Sequence, residues 1–185
     1  DILSHNHLHY AGELGLRPPE PIRKNAMEAD VVLVVGHRFN GVPNMAYKFP
    51  SSSQTFIHVL PDPNTIGKIF RTDMSIVADS ENFLEQFSNL ESKDIDQRRN
   101  EWVSLCHQRY LNNDGTQPAK NANDGLDFAH LIDALGELAP EDSVITNDAG
   151  NFTSWMHHRF PFRSSMTLIG SEIGAMGMGI PAGIA

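Results

Sequence analysis

Cysteine is almost absent from this sequence: Cys106 is the only one in 185 residues. A disulfide framework is therefore excluded, and a reducing compartment is indicated. Long apolar runs are also lacking, which excludes a membrane-spanning helix as the basis of the fold. Basic residues are few, with 14 Lys and Arg against 23 Asp and Glu and a net charge of -9. Because nucleic acids bind to basic surfaces, we expect neither a nucleic-acid nor a membrane partner, and we predict a cytoplasmic location.

The first 90 residues alternate strand and helix patterns. Apolar, β-branched runs predict three strands. Two helices are expected, the first starting at Pro21 and the second capped by Asp79 or Ser80, with an apolar stripe on the second. We therefore predict a partial Rossmann-like domain with a parallel sheet over residues 1–90 and a first strand buried on both faces. The predicted strands are Asp30–Gly36, Thr55–Leu60 and Met74–Ala78, and the stripe comprises Phe83, Leu84, Phe87 and Leu90.

Residues 91–125 differ in character from what precedes them. A helix from Lys93 to Arg109 is predicted to bury Ile95, Trp102, Leu105 and Cys106, and the segment after it has the composition of a linker. Cys106 precedes His107, but adjacent residues on a helix do not face each other. We therefore interpret Cys106 as a buried structural thiol and not as a catalytic nucleophile.

Residues 126–185 begin a second α/β unit. A helix capped by Asn123 or Asp124 precedes a strand over 143–147, a helix over 152–158 and a strand over 166–170. Asp148-Ala149-Gly150-Asn151 occupies the junction between the first strand and the next helix. Backbone N–H groups at such a junction can bind an anion, which makes it the first candidate site.

The last fifteen residues contain four glycines: Gly174, Gly177, Gly179 and Gly183. Glycines at this density allow positive φ angles and a close approach of the backbone to a ligand or another chain. The run ends in an apolar helix start that has no polar face and no C-cap, and the sequence does not begin with Met. We therefore expect it to be a piece of a longer polypeptide.

His5, His7 and His9 alternate near the start. On a strand their imidazoles would share one face and could hold a metal ion. The alternative is a loop beside a cleft, or surface histidines, and the absence of a carboxylate or Cys in register favours that alternative.

Four segments resemble the thiamine-diphosphate-dependent enzymes of the acetolactate-synthase-like group. Two lie in the first unit and look like that family's middle domain, and two lie in the second unit. The last segment is close to the family's G-x-M-G-x-G-L-P-A-A signature and is the most specific of the four. The segments are Ala29–Phe39, His58–Lys68, Thr146–Asn151 and Gly174–Ala182. The resemblance implies a middle domain followed by the first part of the cofactor-binding α/β domain.

The resemblance assigns cofactor-binding roles to five residues. Ala149, Gly150 and Asn151 would line the diphosphate end of the cofactor. Gly174 would offer its backbone carbonyl to the aminopyrimidine ring, and Met176 would be the apolar wedge that holds the two rings in a V shape. Ordinary core packing is the alternative for Met176.

The family's magnesium motif and its activating glutamate have no counterpart here, so we predict no catalytic residue and no metal ligand in this sequence. The resemblance implies thiamine diphosphate and Mg²⁺ in the full-length enzyme, a 2-oxo acid substrate, and a homodimer or tetramer. FAD is possible but unsupported, since Asn40-Gly41-Val42-Pro43 replaces the family's paired acidic residues. A separate departure from the family is Glu172, which stands where many members have Gly. We predict a fragment of a 2-oxo acid decarboxylase or carboligase (a lyase or transferase), inactive alone. The alternative is a non-catalytic module that binds FAD or ADP, or is purely structural.

Overall fold

The computed structural model describes residues 3–15, 17–41, 43–91, 96–113, 123, 125–163, 165–171 and 174–185. These residues form an α/β fold in which parallel sheets are combined with helices, as predicted. In chain order the elements are α1 Glu20–Glu28, β1 Val31–Val35, β2 Thr55–Leu60, β3 Met74–Val77, α2 Ser80–Ser88, α3 Gln97–Leu111, α4 Phe128–Leu138, β4 Val144–Thr146, α5 Thr153–Arg159, β5 Thr167–Ile169 and α6 Gly179–Ile184.

The first sheet has the order β1-β2-β3, and all its strands are parallel. Val32 and Val34 of β1 pack in a cluster with Phe39, Phe49 and Phe56. The three predicted strands are therefore confirmed to within a residue at their ends.

The prediction that β1 is buried on both faces is wrong within the described part of the chain. Successive side chains of a strand point to opposite faces, and those of Val31 and Leu33 are 50% and 40% exposed. Met74 and Val77 of β3 are exposed as well. Ala26 of α1 packs against the cluster on the other, aromatic face, so only alternate residues of the apolar run are enclosed.

The helix after β3 begins as predicted but does not bury its stripe. The Asp79 carboxylate accepts a hydrogen bond from the Asn82 N–H at 2.9 Å, which confirms the N-cap. Leu84, Phe87 and Leu90 remain 49%, 52% and 66% exposed. Periodicity therefore locates the apolar stripe without showing whether anything packs on it.

Helix α3 begins at Gln97, after the Asp96 cap, and so later than predicted. The predicted start at Lys93 and the predicted core residue Ile95 both lie outside the described residues. Leu105 is 40% exposed, so its predicted burial is wrong, whereas Cys106 is buried. Burial raises the pKa of the Cys106 thiol. His107 Nδ1 lies 2.7 Å from the Tyr10 carbonyl oxygen, which agrees with a structural thiol and no Cys–His pair.

The second sheet consists of β4 and β5, which pair in parallel. Ile132 of α4 packs there with Phe160, Phe162 and Met166 in a separate core. The predicted cap of α4 is wrong: the Asp127 carboxylate accepts from the Ala129 N–H at 2.9 Å. Asp124, one of the two predicted caps, lies outside the described residues, and Asn123 lies too far before the first turn at Phe128.

The histidine comb is contradicted, because residues 5–9 form turns and not a strand. His5 is 3% exposed and stacks on Tyr10 with ring centroids 4.1 Å apart, while His7 and His9 are exposed. Burial lowers the pKa of His5 to about 4. The described residues contain no group of three or more His, Cys, Asp or Glu arranged to hold a metal ion.

The segment of residues 3–15 contacts the second unit. The His5 N–H donates to the Phe162 carbonyl at 3.0 Å, and Glu13 Oε2 lies 2.7 Å from His157 Nδ1 on α5. The chain start therefore packs against the core that supports β4 and β5. Within the described ranges, no helix is both long and apolar enough to cross a membrane.

Candidate functional site

The candidate site lies where β4 and β5 end. Because the two strands are parallel, their carboxyl ends meet at one edge, and the Asn147 N–H donates to the Ile169 carbonyl at 3.0 Å. The chain leaves β4 through residues 147–152, here called the first loop. It leaves β5 toward residues 174–179, here called the glycine loop, and Glu172 lies outside the described residues. All five predicted cofactor-binding residues belong to these two loops.

Asp148 joins the two loops. Its Oδ1 accepts from the Ala149 N–H at 2.8 Å, and its Oδ2 accepts from the N–H groups of Gly177 at 2.7 Å and Gly179 at 3.3 Å. These backbone donors, Ala149 first, lower the pKa of Asp148. A carboxylate thus holds together two segments that are 29 residues apart in sequence.

Two glycines of the terminal run are needed for packing. A Cβ on Gly179 would lie 3.0 Å from the backbone of Asn147 and Asp148, and one on Gly183 would lie 2.9 Å from Thr146 Oγ1. Helix α6 can therefore approach β4 only because these positions lack side chains.

Gly174 and Gly177 have a different role, because their φ angles are +72° and +96° and no atom lies within 4 Å of an added Cβ. Among the described residues, glycine is therefore needed here for its left-handed backbone and not for close packing. Met176, between them, is 81% exposed. Core packing, the alternative for Met176, is therefore not observed, whereas Met178 is half-buried.

Two backbone N–H groups of the first loop have no hydrogen-bond acceptor within the part of the chain that the structure describes. The Gly150 carbonyl accepts from the Thr153 N–H at 3.1 Å, and the Asn151 carbonyl accepts from the Ser154 N–H at 3.3 Å. No described residue accepts a hydrogen bond from the N–H of Gly150 or Asn151, whereas that of Ala149 is bonded to Asp148.

An apolar cavity of about 510 Å³ adjoins the first loop, and no sequence pattern indicates it. Leu135, Ile145, Met156 and Ile180 are among the residues that line it. Asn147 Nδ2 is buried at its edge and has no partner among the described residues. The link through Asp148 is likewise absent from the sequence-based predictions, although an Asp before a glycine junction is a residue type that caps backbone N–H groups.

Comparison with known proteins gives consistent results for both units. Residues 1–87 match the family model described as thiamine pyrophosphate enzyme, central domain. The acetolactate synthase isozyme 1 large subunit of Escherichia coli (strain K12) is 29% identical over 174 residues, covering 94% of this chain and 30% of that protein. The acetolactate synthase large subunit of Lactococcus lactis subsp. lactis (strain IL1403) is 28% identical over 161 residues, covering 85% and 27%. A putative thiamine pyrophosphate-containing protein of Bacillus subtilis (strain 168) is 26% identical over 187 residues, covering 100% and 31%.

The chain spans about 30% of the length of the curated relatives it matches. The Bacillus subtilis match covers 100% of this chain and so includes both loops of the candidate site. A stand-alone nucleotide-binding module, the alternative function, is not favoured by that pattern.

Proposed function

The comparisons support a place for this chain in the thiamine-diphosphate-dependent, acetolactate-synthase-like family, and from that premise we propose that it forms one wall of the cofactor site in a 2-oxo acid decarboxylase or carboligase. The observation that carries the proposal is the junction at Asp148, which brings the first loop and the glycine loop together. Thiamine diphosphate, when bound, supplies carbanion stabilisation.

The first loop suits the diphosphate end of the cofactor. Gly150 and Asn151 have N–H groups that bond to no described residue, and consecutive backbone amides are a common way to bind phosphate oxygens. A side chain on Gly150 would collide with the Phe152 ring, 2.5 Å from an added Cβ. Ala149 would line the same end, although its own N–H is bonded to Asp148.

The glycine loop suits the ring end. An added Cβ on Gly174 would meet no described atom within 4 Å, and no described group donates a hydrogen bond to its carbonyl, which could accept from a ring amino group. The exposed thioether of Met176 is an unbranched, apolar side chain that can lie against two rings joined by a flexible bridge. Both residues therefore fit the roles that the family resemblance gives them.

The proposed holoenzyme also contains Mg²⁺, bound by residues from the rest of the protein, and it is a cytoplasmic homodimer or tetramer. The chain by itself has a net charge of -9, which repels a diphosphate. Contacts at helix ends contribute only about 0.3–1 kcal/mol each. Micromolar affinity requires about 8 kcal/mol. The isolated chain is therefore expected neither to bind the cofactor usefully nor to be active.

Calorimetric titration tests the last point. Thiamine diphosphate titrated into the chain in millimolar Mg²⁺ should give no binding heat. A dissociation constant below about 100 μM, or roughly 5.5 kcal/mol of binding free energy, would contradict the proposal that the metal site lies elsewhere.

The function itself is tested in the full reading frame that encodes the chain. Consumption of a 2-oxo acid should require both thiamine diphosphate and Mg²⁺. Met176→Ala should reduce turnover at least about tenfold, since the loss of ring positioning acts on the reacting geometry. Met74→Ala is the matched control, because Met74 is also exposed at 54% but lies on β3. Consumption that is independent of the cofactor would refute the proposal.

A further inference from the structure

We infer that Asp148 is a positioning residue whose carboxylate sets the geometry of the glycine loop, and through it that of Gly174 and Met176, relative to the first loop. The inference rests on the proposed function for the identity of the ligand. The hydrogen-bonded link itself can be tested without that ligand.

The geometry places Asp148 between the two loops. Oδ1 accepts from Ala149 in the first loop, and Oδ2 accepts from Gly177 and Gly179 in the glycine loop, at 2.7 Å and 3.3 Å. Gly177 also lies 2.9 Å from Oδ1, so both oxygens face this amide. Among the described residues, no other side chain hydrogen-bonds to the backbone of residues 174–179.

Apart from the Gly174 N–H, which donates to the Ser171 carbonyl at 3.2 Å, little among the described residues restrains the outer part of the glycine loop, so the loop depends on the link to Asp148. Gly174 and Gly177 have φ angles that side chains rarely allow, and added Cβ atoms there would meet no described atom within 4 Å. Met176 is 81% exposed. Glycine has the largest conformational freedom to lose, so fixing this backbone needs a specific interaction, and Asp148 supplies it.

A carboxylate is the group that this position requires. All three partners are N–H donors, and an ionised Asp only accepts, whereas an Asn would direct its own NH₂ donor toward one of them. The same donors hold the pKa of Asp148 below its usual range, so the carboxylate is ionised at neutral pH. Asp148→Asn is therefore nearly isosteric but leaves one acceptor oxygen for these three donors, so it weakens the link and abolishes its titration.

The first test uses the ¹⁵N-labelled 185-residue chain without cofactor. In the wild type, the amide proton signals of Gly177 and Gly179 should shift together as the pH falls through the titration of Asp148. In Asp148→Asn this pH dependence should disappear, and the Gly177 amide should exchange with solvent at least about tenfold faster. Asp62→Asn is the matched control, since the Asp62 carboxylate likewise accepts a hydrogen bond from a loop amide, that of Asn64 at 2.9 Å.

Unchanged Gly177 and Gly179 signals in Asp148→Asn would overturn the inference, whatever the chain binds. If the variant were unfolded, the wild-type pH titration alone would decide: signals that do not follow the titration would overturn it as well.

The second test uses the full reading frame and separates positioning from structure. Asp148→Asn should raise the dissociation constant of thiamine diphosphate about tenfold or more, and turnover at saturating cofactor should also fall. An unchanged dissociation constant and turnover would overturn the positioning role. Failure of the wild type itself to bind thiamine diphosphate would refute the proposed function, and the amide measurements on the chain would still decide whether Asp148 holds the glycine loop.

Discussion

His5 should make the stability of this protein depend on pH in a defined window. The imidazole is 3% exposed, and burial lowers its pKa from 6.5 to about 4. Between these two pH values the unfolded chain binds a proton that the folded chain does not bind, so acidification favours unfolding. The contribution is fully present above pH 6.5 and is lost as the pH falls toward 4. From pH 7 to pH 5 the loss at this site is about 1–2 kcal/mol, allowing for solvent screening.

The assay is urea unfolding at both pH values for the wild type and for His5→Phe. Phe keeps an aromatic ring against Tyr10, whose centroid lies 4.1 Å away, but does not titrate. The drop in unfolding free energy from pH 7 to pH 5 should be smaller in the variant by about 1–2 kcal/mol. His9→Gln is the control, because His9 is an exposed histidine of the same segment. Identical pH dependence in the wild type and His5→Phe would refute the reasoning.

Three further changes test the second unit and the site. Phe160→Ala should lower the free energy of unfolding by about 3–5 kcal/mol in the same urea titrations, because the ring is 1% exposed. Leu138→Ala is the control: the side chain is 81% exposed, so this free energy should change by less than about 0.5 kcal/mol. Arg159→Lys should lower the free energy of unfolding by about 1 kcal/mol, because Lys cannot keep both hydrogen bonds to Asp133, at 2.7 Å and 2.6 Å. An unchanged thermal unfolding midpoint would contradict this expectation. Gly179→Ala should lower the free energy of unfolding by about 1–3 kcal/mol and speed amide exchange throughout α6, since the added Cβ would lie 3.0 Å from backbone atoms. Amide exchange as slow as in the wild type would show that α6 does not need its close approach to β4.

The strand pattern can be predicted from the sequence, but its burial cannot. Runs such as Val31–Val35 indicate parallel strands, and the structure has them in parallel sheets. A continuous apolar run indicates only that both faces of a strand can be buried. Whether another element packs on each face depends on residues that are distant in sequence. The burial of an apolar position is therefore decided by tertiary packing, as the 50% exposure of Val31 and the 52% exposure of Phe87 illustrate.

Helix caps show the same division on a smaller scale. The sequence predicts a cap at Asp79 or Ser80 because these residues precede the apolar stripe, and the structure shows that Asp79 caps α2. For α4 the sequence predicts a cap at Asn123 or Asp124, but the cap is Asp127, nearer to the first turn. Several polar residues precede this helix, and only the path of the backbone decides which carboxylate meets a free N–H.

The α/β class, the two candidate loops and the family resemblance can all be read from the sequence, because they depend on local periodicity and on residue types at short spacing. What the glycines do follows only from the packed fold. Gly179 and Gly183 allow α6 to approach β4, whereas Gly174 and Gly177 form a left-handed backbone. The hydrogen bond that the Gly177 N–H donates to the Asp148 carboxylate, 29 residues away in sequence, likewise follows only from the packed fold. No spacing rule predicts that contact, because it exists only once the parallel pairing of β4 and β5 has brought both loops to one edge.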